Sequence, residues 1–135
     1  MLRSKGLVEQ LKRLKCFSEV MDLGDILLPE LSVRHNVPPI RHWPGPRMVW
    51  ENVSVTMRNE FASTGSDARW LVLGGDCSIG VATLGEFARR HGEKAFIIYV
   101  YAHMDFEEPR SDRVLGAAGF PIWLLTHQNP FLEPT

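Results

Sequence analysis

The sequence predicts an α/β fold in which a parallel sheet lies between helices. Three observations carry this. Helix-like and strand-like segments alternate along the chain. Two short apolar runs, in "RWLVLGGDC" and "AFIIYVYAHMD", each end in polar residues, as strands do at the ligand-binding rim of an open parallel sheet. The second run is apolar on both faces, the pattern of a central parallel strand. At 135 residues the chain suits one domain, 1–135, large enough to bury a core. No internal repeat or second domain is visible.

Taken in order, "GLVEQLKRLK" sets Leu7, Val8, Leu11 and Leu14 on one side of an amphipathic helix. "FSEVMDLGD" reads as a short strand ending at a glycine turn. Residues 26–47, "ILLPELSVRHNVPPIRHWPGPR", hold five prolines and read as a long irregular loop. "RMVWENVSVTMRNEF" has helical spacing at Met48, Val49, Val53, Met57 and Phe61, and "TGSD" breaks it. "RWLVLGG" is a strand ending on two glycines. "SIGVATLGEFARRHG" is a helix, with basic residues in its last turn to complement the dipole and Gly92 as its stop. "KAFIIYVYA" is the strongest strand, and "FPIWLLTHQ" is a final helix with Pro121 near its start.

Composition removes several function classes. Fifteen basic residues face 16 acidic ones, without the basic concentration that nucleic-acid binding through phosphate neutralisation requires. Apolar runs fall well short of the roughly 20 residues of a membrane helix. No secretory signal opens the chain. Two cysteines, Cys16 and Cys77, are too few for a disulfide framework, so the expected compartment is the reducing cytoplasm.

The chemistry concentrates at the two strand ends. If the strands are neighbours, Asp76, Cys77, His103 and Asp105 crowd one rim. His103 and Asp105, two apart on extended chain, can point the same way. Thiolate, imidazole and carboxylate are all metal donors, and three protein ligands plus water is a common catalytic zinc layout. Against this stands an ordinary reading. An isolated HxD at a strand end is a weak signal, Cys77 suits a small buried site, and Asp76 can cap the helix that follows. "GGD" lacks the lysine of a phosphate-cradling loop. Glu107 and Glu108 fit solvated loop carboxylates, and His127 a helix-terminal surface residue.

"LVLGGDCSIGVATLGEFARRHG" followed by "AFIIYVYAHMDFEEP" resembles the middle of the arginase–agmatinase (ureohydrolase) family, with its GGDHS and DAHxD segments. The earlier "LVEQLKRL" and "VMDLGDI" resemble the helix and strand preceding them, so the resemblance covers most of residues 6–125. It implies a three-layer αβα fold with a parallel sheet, here incomplete at both ends. It also implies hydrolysis of a guanidino or amidine C–N bond, in which two manganese ions share a hydroxide of lowered pKa. By the resemblance His103 and Asp105 take ligand positions and Cys77 replaces a ligand histidine. Tyr101 stands where the family has a metal-bridging aspartate, and a phenol with a pKa near 10 is a poor replacement. Glu107 replaces a substrate-side asparagine and Ala118 a proton-shuttling histidine. The later DxD pair is expected beyond Thr135.

The resulting expectation is a ureohydrolase-family protein, inactive or incomplete as this chain alone, with Asp76 supporting the rim. Of the family's two manganese ions at most one is expected here. The alternative is a single zinc or iron ion on Cys77, His103 and Asp105, because a thiolate shifts preference away from manganese. A third reading is a non-catalytic interaction or oligomerisation module, drawn from Trp43 and Trp50 in "IRHWPGPRMVW". Equally, those tryptophans pack the loop onto the core. The expected partners are a guanidino-type small molecule such as arginine or agmatine and a second copy of the chain, with no nucleic acid and no membrane.

Overall fold

The structure is a computed structural model that describes residues 5–28, 35–37, 40–65, 67–119 and 121–127. Its elements in chain order are α1 (Leu7–Arg13), β1 (His35–Val37), β2 (Ile40–Trp43), α2 (Gly45–Ser63), α3 (Ile79–His91) and α4 (Pro121–Thr126).

Helix α2 is the spine. Pro46 lies in its first turn, where a missing N–H costs nothing. Trp50, Val53, Met57 and Phe61 recur at helical spacing and are all buried. They form one cluster with Val81 and Ala82 of α3, Leu124 of α4 and Ile40 of β2. Trp43 packs against this cluster and Trp50 is 0% exposed, so the loop tryptophans serve the core rather than an exposed patch.

Polar groups fasten the same helix pair. The buried Glu86 carboxylate of α3 pairs with Arg89 at 2.8 Å and with Arg58 of α2 at 3.4 Å. Arg90 Nη1 donates to the Phe61 carbonyl at 2.7 Å, meeting a carbonyl that the end of α2 leaves without a helical partner. Its guanidinium also lies 4.8 Å from the centroid of the Phe61 ring. The last turn of α3 carries Arg89, Arg90 and His91, and the helix stops at Gly92, whose φ of 55° favours glycine.

The helices match the sequence expectation, and the strands differ from it. Residues 17–25 form no strand, although Gly24 does turn, its N–H bonded to Asp22 Oδ1 at 3.0 Å. Within 26–47, expected as irregular loop, the described residues include β1 and β2, paired antiparallel, and the start of α2. The segments 70–74 and 95–101 run without regular secondary structure, and among the described residues the only sheet is the β1–β2 pair. The expected parallel sheet is therefore not formed here. A strand apolar on both faces needs neighbours on both edges and layers on both sides. Here α2, α3 and α4 pack on one another, and the 71–73 and 96–101 side chains stay largely exposed.

Three backbone hydrogen bonds order the 105–122 region beside the core. Arg41 N–H donates to the Leu115 carbonyl at 2.8 Å, alongside an Ile40–Leu115 parallel bridge. Ile122 N–H, in the first turn of α4, donates to the Asp105 carbonyl at 3.1 Å, and Glu107 N–H to the Gly119 carbonyl at 3.0 Å. Among the described residues no helix is long and apolar enough to cross a membrane.

Trp50→Ala should remove about 3–5 kcal/mol of stability, the usual range for a large aromatic deleted from a packed core. Met48→Ala, on the exposed side of the same helix, should stay within about 0.5 kcal/mol. Urea unfolding of both variants checks this, and equal midpoints would refute the assigned helix face.

Candidate metal centre

Asp76 and Cys77 sit in the turn leading into α3. The Asp76 side chain bends back, Oδ1 accepting the Ser78 N–H at 2.9 Å, and its carbonyl accepts the Ile79 N–H at 3.2 Å. Its geometry is that of a group steadying the helix entry. Two residues earlier, a Cβ on Gly74 would press on the Ile79 Cδ1 methyl at 3.0 Å. Cys77 is a half-buried free thiol.

The facing segment is organised by alternation. Tyr99, Tyr101, His103 and Asp105 are spaced by two, and although the chain bends at 102–103, their side chains are in contact. The Tyr99 hydroxyl donates to Asp105 Oδ2 at 2.5 Å. The rings of Tyr99 and Tyr101 lie 6.2 Å apart edge-to-face, and those of Tyr101 and His103 5.4 Å apart. Asp105 has φ 49°, a left-handed conformation that aspartate tolerates better than most residues. Its carbonyl is the one tied to α4.

Both phenols are pushed to ionise above their ordinary value. For Tyr99 the causes are burial, then the hydrogen bond to the Asp105 carboxylate and its negative charge, then Cys77. For Tyr101 the leading cause is its hydrogen bond to Cys77, followed by the charge a Cys77 thiolate would carry. The Tyr99 hydroxyl donates to a carboxylate, which favours its neutral O–H form.

Contacts thus link Asp105, Tyr99, Tyr101 and His103, while Asp76 turns away to Ser78. Tyr99 was not among the candidates. The signal that finds it is the HxD alternation continued backward, giving "YxYxHxD". Among the described residues, no three His, Cys, Asp or Glu side chains come together closely enough to hold a metal ion. One Asp105 oxygen accepts from Tyr99, and Asp76 is turned to Ser78. This donor set does not fit a two-manganese centre, nor in this geometry a three-ligand zinc site. Other polar groups do not join this cluster among the described residues. His42 is exposed on β2, the side chain of His35 lies outside the described residues, and His127 stacks on Trp123 at 4.5 Å at the end of α4. Glu107 is within 3.5 Å of Arg113, both of them exposed. A separate cleft of about 520 Å³, lined by Phe61, Trp70, Phe87, Arg90 and His91 among others, includes none of the rim residues.

Tyr99 and Tyr101 are the only tyrosines in the chain, so near-ultraviolet absorbance titrates them alone. Both should ionise above the free-tyrosine range near pH 10, and Asp105→Asn should bring the transition down. The folded state holds these phenols neutral. Their contribution to stability is therefore complete below about pH 10 and is lost as pH rises through the folded-state transition. An ordinary transition, unmoved in Asp105→Asn, would dissolve the cluster.

The sequence profile of the Arginase family matches residues 4–132. Arginase-1 of Homo sapiens is 31% identical over 125 residues, covering 92% of this chain and 37% of that protein. Arginase-1 of Bos taurus is 33% identical with the same coverage. An arginase of Staphylococcus aureus (strain COL) is 29% identical over 134 residues, 96% of this chain and 42% of that protein. The chain thus spans about two-fifths of the length of these relatives. No solved structure gives a significant match. A profile match across nearly every residue, joined to relatives aligned over nine-tenths of the chain, places this protein in the arginase family, with the α/β fold that membership implies.

Proposed function

We propose that this is a ureohydrolase-type protein whose family chemistry is metal-dependent hydrolysis of guanidino or amidine C–N bonds, and that the 135-residue chain alone does not carry out that reaction. Family membership and relatives named arginases support the first half. The second half rests on one observation, the phenol pair at the rim. Tyr101, where the resemblance expects a bridging carboxylate, carries a phenol of raised pKa beside Cys77, and Tyr99 holds the Asp105 carboxylate. Two adjacent divalent cations need anionic oxygen donors to offset their charge. A phenol held neutral at physiological pH supplies none.

In this reading the segments 70–75 and 95–102 correspond to strands of the family's parallel sheet. Their exposed apolar side chains in the present structure are what such strands would bury. That same exposure favours a second reading, a non-catalytic interaction module.

Urea release from L-arginine and from agmatine, measured with added manganese, should not rise above the protein-free background. Release that disappears in His103→Ala would overturn the reading. Elemental analysis of the dialysed protein gives a second check. Combining Tyr101→Asp with Tyr99→Phe supplies a carboxylate and frees another, and should tighten manganese binding by at least about tenfold, the lower end of the effect of groups that orient metal ligands. Unchanged metal retention would mean that the phenols are not what closes the rim.

A further inference from the structure

The last turn of α3 carries a second set of side chains, at the end of the helix away from the rim. Phe87, Arg90 and His91 are three and four residues apart, the spacing that sets side chains on one face of a helix. They border a cleft of about 520 Å³ whose other side is the turn after α2, from Asp67 to Trp70. Two ring pairs line it. Phe61 meets Trp70 edge-to-face at 4.7 Å, and Phe87 meets His91 at 4.4 Å. Arg90 brings its guanidinium to the same space, held by the Phe61 carbonyl at 2.7 Å and by the Phe61 ring at 4.8 Å. One N–H is used there, and a guanidinium has five. Arg69, exposed on the turn, adds a second guanidinium against the carboxylate of Asp67.

We propose that this cleft binds a small planar aromatic carboxylate, with its ring against the aromatic side chains and its carboxylate on the guanidiniums of Arg90 and Arg69. The volume lies within the roughly 300–1,000 Å³ of small-molecule sites, which pair aromatic walls with a few charged groups that fix orientation. A flat ring gains edge and offset contacts with Phe and Trp that an aliphatic chain of equal area lacks. A carboxylate matches the fork of a guanidinium, and a pair formed beside aromatic rings is screened less than one in open water. The cleft is separate from the rim. Helix α3 has 13 residues, about 20 Å of helix, with the Asp76–Cys77 turn at one end and the cleft at the other. Of the 70–75 segment the cleft uses only Trp70, whose ring is seated on Phe61 of α2, so pairing of 71–75 into a sheet does not decide it. The proposal does not rest on amidine hydrolysis, and the urea assay and the experiment below can fail separately.

The probes are β-naphthoate and its neutral analogue β-naphthamide, titrated into the full chain. Binding is followed by the indole N–H resonances of the four tryptophans, that of Trp70 being identified by its loss in Trp70→Phe. Naphthoate should bind saturably and move the Trp70 resonance most. Naphthamide should bind at least about tenfold more weakly, the scale of a hydrogen bond to a charged group. Arg69→Gln should lower the affinity for naphthoate several-fold and leave that for naphthamide unchanged. Arg69 is exposed on a turn, so this variant should keep its far-ultraviolet circular dichroism. Arg90→Lys keeps the charge but loses the fork, and should cost naphthoate more affinity than naphthamide. Phe87→Ala should weaken both probes. The absence of saturable binding at millimolar naphthoate would overturn the proposal. So would equal affinities for acid and amide, or shifts confined to Trp43, Trp50 and Trp123.

Discussion

Trp50 is fully buried because α3 meets α2 with Val81 and Ala82, side chains short enough to let two helix backbones draw together around a large aromatic. That contact sets the position of everything downstream. Because α3 is seated, its first turn and the Asp76–Cys77 turn before it have a fixed place. Because α4 packs on α3 through the same cluster, Ile122 can hold the Asp105 carbonyl from the other side. The rim is thus suspended between the starts of two helices that share a core.

Such a suspension fixes the backbone of Asp105 more firmly than its side chain, and the side chain is where chemistry is decided. A carboxylate that accepts a phenol proton at 2.5 Å has one oxygen engaged and a neutral neighbour. A metal asks for the reverse, a carboxylate whose lone pairs are free and a second anion beside it. Tyr99 and Tyr101 therefore compete with a cation for the same acceptors, and each raises the cost of assembling three donors. The Tyr99 phenol gains in turn, since burial and the Asp105 carboxylate keep its proton in place.

How much of this was legible beforehand follows from the range of each signal. The helices were readable because their evidence is local: Val53, Met57 and Phe61 repeat at helical spacing, Gly92 stops α3, and Pro121 opens α4. Motif order set Cys77, His103 and Asp105 as one rim, but it could not say which way Asp105 and Asp76 would turn, and they turn to Tyr99 and Ser78. The strands were not, because a ladder is a long-range fact. "AFIIYVYA" has every local property of a strand, yet pairing requires partners that local composition does not supply. The β1–β2 pair was hidden for the opposite reason, since the prolines around it argue for loop. Tyr99 was missed because attention stopped at the HxD, although the same period continues four residues upstream.

The two faces of 96–101 are one decision, since a slip of a single residue would exchange them. Such a slip would turn Phe96, Ile98 and Val100 inward and release both phenols to water. Full burial of side chains like these yields about 1.5–3 kcal/mol each, and the half burial the inner positions receive would still amount to several kcal/mol in total. The bonds holding the observed register, from Tyr99 to Asp105, Ile122 to Asp105 and Glu107 to Gly119, contribute about 0.5–1.5 kcal/mol apiece. In an isolated chain those terms are comparable, and the hydrogen bonds hold no clear margin. Covering the outer face removes the apolar reward for slipping and leaves the hydrogen bonds to set the register. What keeps Tyr99 on Asp105 is the set of hydrogen bonds at the rim, with Phe96, Ile98 and Val100 left exposed on the far side.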